Sequence, residues 1–258
     1  MTIYHLIISY ILFFSVCLGE NIPFWVKHPP KHNDYLYGVG ISNRFVDDQD
    51  SFSEAKIGAV ENISRQFQVQ IIAGLARVSS GSVSSSEYFT HQIIDSTSYR
   101  RINNNMIVID SILTNDNALI LSIINKDLSM PSIDKIQHND FKFIKKYSER
   151  NNPNPSWIED IPIKEGYIYG IGEGYRYTNL KDSWDNSAKK ARLNVAQQVE
   201  TSHSSLHMNY KGLTSVNIKW IEERTNVILH NSVIRERWYD KQNNLYYTLV
   251  EYPLYKIR

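Results

Sequence analysis

Few residues of this chain combine the type and the spacing that chemistry requires. His203 and His207 stand one helical turn apart, which sets two imidazoles on one face, yet His203-Ser204-Ser205-Leu206-His207 lacks the glutamate of a zinc-protease helix and no third ligand follows. His28 and His32 are separated by prolines, which removes helical geometry from that pair. Asp47, Asp48 and Asp50 lack the glycine and terminal glutamate of a calcium loop and read instead as charges favouring a helix amino terminus. Gly38-Val39-Gly40 and Gly170-Ile171-Gly172 each close a strand-like run, but the third glycine of a dinucleotide fingerprint is missing and about ten polar residues precede the next helix. A phosphate there would not sit on a helix amino terminus, so these glycines read as points where the chain turns or approaches a neighbour closely. There is no Gly-x-Ser-x-Gly, no P-loop lysine, and the one cysteine, Cys17, lies in an apolar leader. The expectation is a protein that is not an enzyme and uses no cofactor and no metal.

The glycines belong to a duplication that organises the whole sequence. Trp25, Pro30, Tyr35, Tyr37, Gly38, Gly40, Arg44, Asp50, Ser51, Ala59, Asn62 and Gln66 align without a gap onto Trp157, Pro162, Tyr167, Tyr169, Gly170, Gly172, Arg176, Asp182, Ser183, Ala191, Asn194 and Gln198. Self-similarity at a fixed offset points to two copies of one small domain. The expected organisation is a signal peptide over 1–19, a first domain over 22–127, a connecting helix and linker over 128–154, and a second domain over 155–258.

Composition is ordinary for a globular chain of 258 residues, with 42% hydrophobic and 21% charged residues. A net charge of +1 argues against binding to nucleic acid, which needs a basic face to neutralise phosphates. Leu6 to Cys17 is an almost uninterrupted apolar run, the length of a signal-peptide core and shorter than the roughly 20 residues of a membrane span. Two processing routes follow. Cleavage after Gly19 satisfies the small-residue rule, with Cys17-Leu18-Gly19 at the site; lipidation at Cys17 would need a small residue where Val16 stands. With one cysteine the exported domains must hold by packing alone.

The elements that position the repeated residues are these. Pro23 to Pro30 and Pro155 to Pro162 are extended, proline-punctuated arms in which Trp25 and Trp157 plug a core. Tyr35 to Gly40 and Tyr167 to Gly172 are strands. Ser51 with Glu54 makes a capping box for a helix whose stripe is Phe52, Ala55, Ala59, Ile63 and Phe67. In the second copy Ser183 or Asp182 caps, and Trp184, Ala188, Ala191, Val195 and Val199 form the stripe, leaving Lys189, Lys190 and Arg192 mostly outside it. Ser79 to Ser86 and Ser202 to Gly212 read as loops or frayed helix ends, and Phe89 to Ile102 and Ile218 to Leu229 as second helices. Hairpins close both copies, Met106–Leu113 with Ala118–Ile124 and Val233–Tyr239 with Leu245–Val250. Ser132 to Glu149 reads as a connecting helix. The fold class expected is α+β: two tandem domains, each a small antiparallel sheet on a long helix.

At the level of the Pro-x-Trp arm, the Tyr-x-Tyr-Gly-x-Gly strand (Trp25, Tyr37, Gly38, Gly40; Trp157, Tyr169, Gly170, Gly172), the alanine-bearing helix and the closing hairpin, the chain resembles the twenty-kilodalton, or Lpp-twenty, type of bacterial outer-membrane lipoprotein and the related amino-terminal domain of flagellar assembly protein T. The resemblance covers roughly residues 22–126 and 155–252 and implies a dodecin-like sheet curled around a helix. It also implies an exported protein of the periplasm or outer membrane of a Gram-negative bacterium, acting in structure or assembly, one version being the flagellar base. Its partners would be envelope proteins or further copies of itself. A lipidated Cys17 would anchor it, although Val16 departs from the lipoprotein pattern. The alternative reading is a module that binds a flavin-like aromatic ligand through its paired Trp and Tyr residues.

Overall fold

A computed structural model of the chain describes residues 22–80, 83–128, 155–204 and 225–254. The first repeat comprises α1 (Phe24–Lys27), β1 (Tyr35–Asn43), α2 (Asp48–Phe67), β2 (Gln68–Ser80), β3 (Val83–Ile94), α3 (Ser96–Asn105), β4 (Ile107–Leu113) and β5 (Asn117–Asn125). The second comprises a 3-10 turn (Ser156–Ile158), β6 (Tyr167–Tyr175), α4 (Leu180–Ser204), β7 (Thr225–His230), β8 (Val233–Asp240) and β9 (Leu245–Pro253). The class is α+β, as expected. The predicted leader with Cys17, the connecting helix over 132–149, and His207 lie outside the described residues.

Each repeat builds the same antiparallel sheet, β1-β5-β4 and β6-β9-β8, with its long helix across one face. The repeated glycines set the distance between the two layers. A Cβ on Gly40 would fall 1.9 Å from the Ala55 carbonyl oxygen, and one on Gly172 would fall 1.9 Å from that of Ser187. Backbone atoms cannot move aside, so strand and helix meet at this separation only because both positions lack a side chain. The alanines of the predicted stripes, Ala55, Ala59, Ala188 and Ala191, are buried opposite.

The helices start earlier than the capping boxes suggest. Asp47 caps α2, its carboxylate accepting from the Gln49 amide at 2.7 Å, and Asn179 does the same for α4 through the Asp182 amide at 2.7 Å. Ser51 and Ser183 lie one turn inside, where each hydroxyl accepts from an incoming amide, Phe45 at 2.8 Å and Tyr177 at 2.8 Å. The repeated serine therefore fixes the chain's approach to the helix rather than its first turn. The arms differ too: neither is fully extended, α1 and the 3-10 turn each coiling around the tryptophan.

The largest departure from the sequence reading follows α2. Phe89–Ile94 is the end of β3, not a helix, and only Ser96–Asn105 is helical; Ser79, Ser80 and Val83 to Ser86 belong to a β2–β3 hairpin rather than a loop. Thr225–Leu229, the end of the helix expected over Ile218–Leu229, belongs to strand β7, and residues 218–224 of that expectation lie outside the described residues. Strand β7 pairs antiparallel with β2, from Gln68↔His230 to Ala73↔Thr225, forming a third sheet, β3-β2-β7, that joins the repeats. The joint is apolar inside: Val69, Ile71 and Leu229 pack with Ala191, Val195 and Ala196 of α4 and with Ile234 and Val250.

Candidate functional site

The repeated motif residues form an internal scaffold. Trp25 and Trp157 are buried and lie at the outer face of their sheets; the indole of Trp25 donates to Asp110 Oδ2 at 2.9 Å and that of Trp157 to Glu236 Oε2 at 2.7 Å. Both acceptors immediately follow a β-bulge, in β4 and in β8, which re-aims the strand. Asp110 and Glu236 also occupy matching places in the aligned hairpins, so an acid at the same place in both strands was a legible signal of the clamp. Gln66 donates to the Tyr37 carbonyl at 2.8 Å and to Asn62 at 2.8 Å, and Gln198 repeats both bonds to Tyr169 and Asn194 at 2.9 Å. The tyrosine, glycine and glutamine repeats thus hold helix to strand.

The outer faces of the two sheets part company. On the first, Tyr37, Val39, Ile41, Ile109, Leu119 and Leu121 form an apolar surface closed by Trp25 and Val26 and by Leu180, Trp184 and Tyr246 of the second repeat. Arg237 seals that seam, donating from Nη1 to the Val26 carbonyl at 2.9 Å. The matching positions on the second sheet are Tyr169, Ile171, Glu173, Arg235, Tyr247 and Leu249. Burial follows: β1 is covered on both sides, whereas in β6 the outward residues Tyr167, Tyr169, Ile171 and Glu173 remain half-buried or exposed.

On this second face a polar cluster is built around Glu251, which is only 6% exposed. The Arg235 guanidinium pairs with Glu251 Oε1, and the Tyr169 hydroxyl donates to Oε2 at 2.7 Å. Burial alone would raise the Glu251 carboxyl, but the bonds from Arg235 and Tyr169 outweigh it and hold the group below its ordinary range. Burial and the bond to Glu251 push the Tyr169 phenol up to about 12. Lys31, from the first repeat's arm, has its ammonium pKa lowered by burial and by Arg235, while Lys164 lies over the Tyr167 ring at 3.8 Å. Trp238 and Tyr247 add a tilted pair with centroids 5.6 Å apart. The result is an aromatic surface around a neutralised ion pair. That suits binding, because polar groups are held ready and large rings remain accessible.

The other sequence candidates do not converge on it. His203 lies in the last turn of α4, and its predicted partner His207 is outside the described residues; among the described residues no group of three His, Cys, Asp or Glu side chains is placed to hold a metal ion. His32 Nδ1 accepts from the Asp34 amide at 3.1 Å, and His28 stacks on Phe24 at 4.3 Å, its pKa lowered chiefly by burial. Asp48 and Asp50 occupy the first turn of α2. Among the described residues no helix is long and apolar enough to cross a membrane. No family model, no curated protein and no solved structure matches this chain.

Proposed function

We propose that this chain is a non-catalytic component of a bacterial cell envelope, exported and acting in structure or assembly, and that it docks another envelope protein on the outer face of β6-β9-β8. The observation that supports this reading is the contrast between equivalent positions. Where the first sheet is covered within the chain it carries Ile109, Ile112 and Leu119; at the matching positions the second carries a paired Arg235, Trp238 and Tyr247, residue types that concentrate in protein interfaces. A second copy is a poor occupant, because Leu180, Trp184 and Tyr246, the residues that close the first face, are already buried inside their own chain. The flagellar base is the assembly to examine first, on the strength of the sequence resemblance.

Placing a photo-crosslinking amino acid at Tyr247 or Trp238 in cells that make the protein tests the reading. Adducts to one envelope protein are expected from these positions and not from Phe45, which is exposed on the first repeat. Adducts only between copies, or the same adducts from all three positions, would reject it. A flavin-like chromophore co-purifying with the chain and lost on Trp238→Ala would replace docking with small-molecule binding at this face.

A further inference from the structure

A cleft of about 430 Å³ lies on the opposite side of α4, where the first repeat meets the second, and Arg192 lines it with Arg65, Thr90, His91, Asp185 and Lys189. Its volume falls within the roughly 300–1,000 Å³ of small-molecule sites. Arg192 was expected outside the helix's apolar stripe and is instead 2% exposed. Its Nε and Nη2 have no partner among the described residues. A guanidinium carries five donors and remains charged, so burying one without an acceptor is costly unless something supplies the acceptor.

The carboxylates nearby are already engaged. Glu61 accepts from Arg65 at 3.0 Å, Asp185 faces Lys181 at 3.6 Å, and Asp182, on the cleft wall, accepts from Asn179 Nδ2 at 2.6 Å. Burial and the neighbouring Arg65 push the Arg192 guanidinium down to about 9, only partly offset by Asp185. The walls supply a second guanidinium, an ammonium, a hydroxyl and an imidazole beside the carboxylates of Asp182 and Asp185, and β3 is held against α4 here by Gln92 donating to the Lys189 carbonyl at 3.3 Å.

We infer that this cleft binds a small oxyanion, a phosphate or carboxylate group, drawn by the unpaired charge of the buried Arg192 and held between Arg65 and Lys189. The cleft is larger than a bare phosphate, leaving room for an organic body beside Thr90 and His91.

Titration calorimetry of the full chain with inorganic phosphate, and separately with acetate, against sodium chloride at matched ionic strength tests this. Saturable binding of at least one oxyanion is expected, weakened at least about tenfold by Arg192→Met, about threefold by Lys189→Gln, and unchanged by Lys190→Ala, whose side chain is exposed and outside the cleft. Phosphate binding with weak acetate binding assigns the site to phosphorylated ligands, and the reverse to carboxylates. No saturable binding beyond chloride, equal binding by Arg192→Met, or equal weakening by Lys190→Ala would overturn the inference. Should Arg192→Met not fold, the wild-type titration and the contrast between Lys189→Gln and Lys190→Ala decide it.

Discussion

The two repeats share a backbone plan and diverge in what they do with it. Both hold strand to helix through a Gly-x-Gly, a glutamine clip and a tryptophan pinned behind a bulge. The first then buries its outer sheet face against the second repeat, while the second leaves the same face partly open, with Leu249 and Glu251 buried, Tyr169 and Ile171 half-buried and Glu173 exposed. Ile41 and Glu173 summarise the difference: equivalent in sequence, one is 5% exposed among Trp25 and Trp184, the other open. A fold can thus be copied whole while its surface is rewritten position by position, and the rewritten positions are where binding is to be sought.

The shared scaffold is the easiest part of this comparison to break. Gly40→Ala and Gly172→Ala should each destabilise by about 3 kcal/mol or fail to fold, because the new methyl meets backbone. Gly58→Ala, whose Cβ would find its nearest neighbour at 3.5 Å, should instead be neutral or stabilising by up to about 1 kcal/mol. Urea unfolding of the three variants measures the contrast.

Exchanging the divergent residues comes next in size. Ile41→Glu buries a carboxylate in the apolar seam and should cost about 2–4 kcal/mol, whereas Glu173→Ile should change stability by less than about 0.5 kcal/mol. Equal costs would mean that the two faces are not distinct environments. Trp25→Phe and Trp157→Phe keep a ring but leave Asp110 or Glu236 without the indole donor; a loss of about 1–2 kcal/mol each is expected in thermal unfolding. The glutamine clips sharpen the comparison further. Their bonds match, but Gln66 is buried and Gln198 exposed, so Gln66→Ala should cost about 1 kcal/mol more than Gln198→Ala.

The smallest effects are pH-dependent and are expected on the second face. Glu251 has a folded pKa below its unfolded one, so its contribution is present above the ordinary glutamate range and is lost as pH falls through the folded value. Glu251→Gln should remove that acid-side slope. Tyr169 is shifted the other way: its contribution is present below 10.0 and is lost as pH rises towards about 12, a slope that Tyr169→Phe should abolish. The first repeat has Ile123 and Ile109 at the positions of Glu251 and Arg235 and should contribute neither slope.

The parts of this fold that were legible in the sequence are those whose signal is local. Alternation and turn residues marked the closing hairpins, the Ala-bearing stripes marked α2 and α4, and the missing third glycine pointed Gly38 and Gly40 towards the close approach that they make to α2. The third sheet was not legible, because Phe89, Ile93 and Thr97 satisfy a helical spacing while Val69, Ile71 and Ala73 alternate in the strand that pairs with them. Thr225–His230 likewise owes its strand form to β2 across the repeat boundary. Arg192 was misplaced for a related reason: the surface that buries it comes from the other repeat, and helical periodicity reports only one face of α4. Asp110 and Glu236 were missed although their alignment was available.

The pairing of β2 with β7 also sets an order of events during synthesis. Gln70 and Asn226, whose side chains hydrogen-bond at 2.9 Å, lie 156 positions apart, so β2 is made long before the strand that finishes its ladder. Until β7 emerges, one side of β2 is a row of unpaired amides and carbonyls next to a freshly formed helix, the kind of edge that captures stray chains. A half-length product would keep that edge open indefinitely. Whatever holds the nascent first repeat apart from its neighbours must act until the strand at residues 225–230 has arrived.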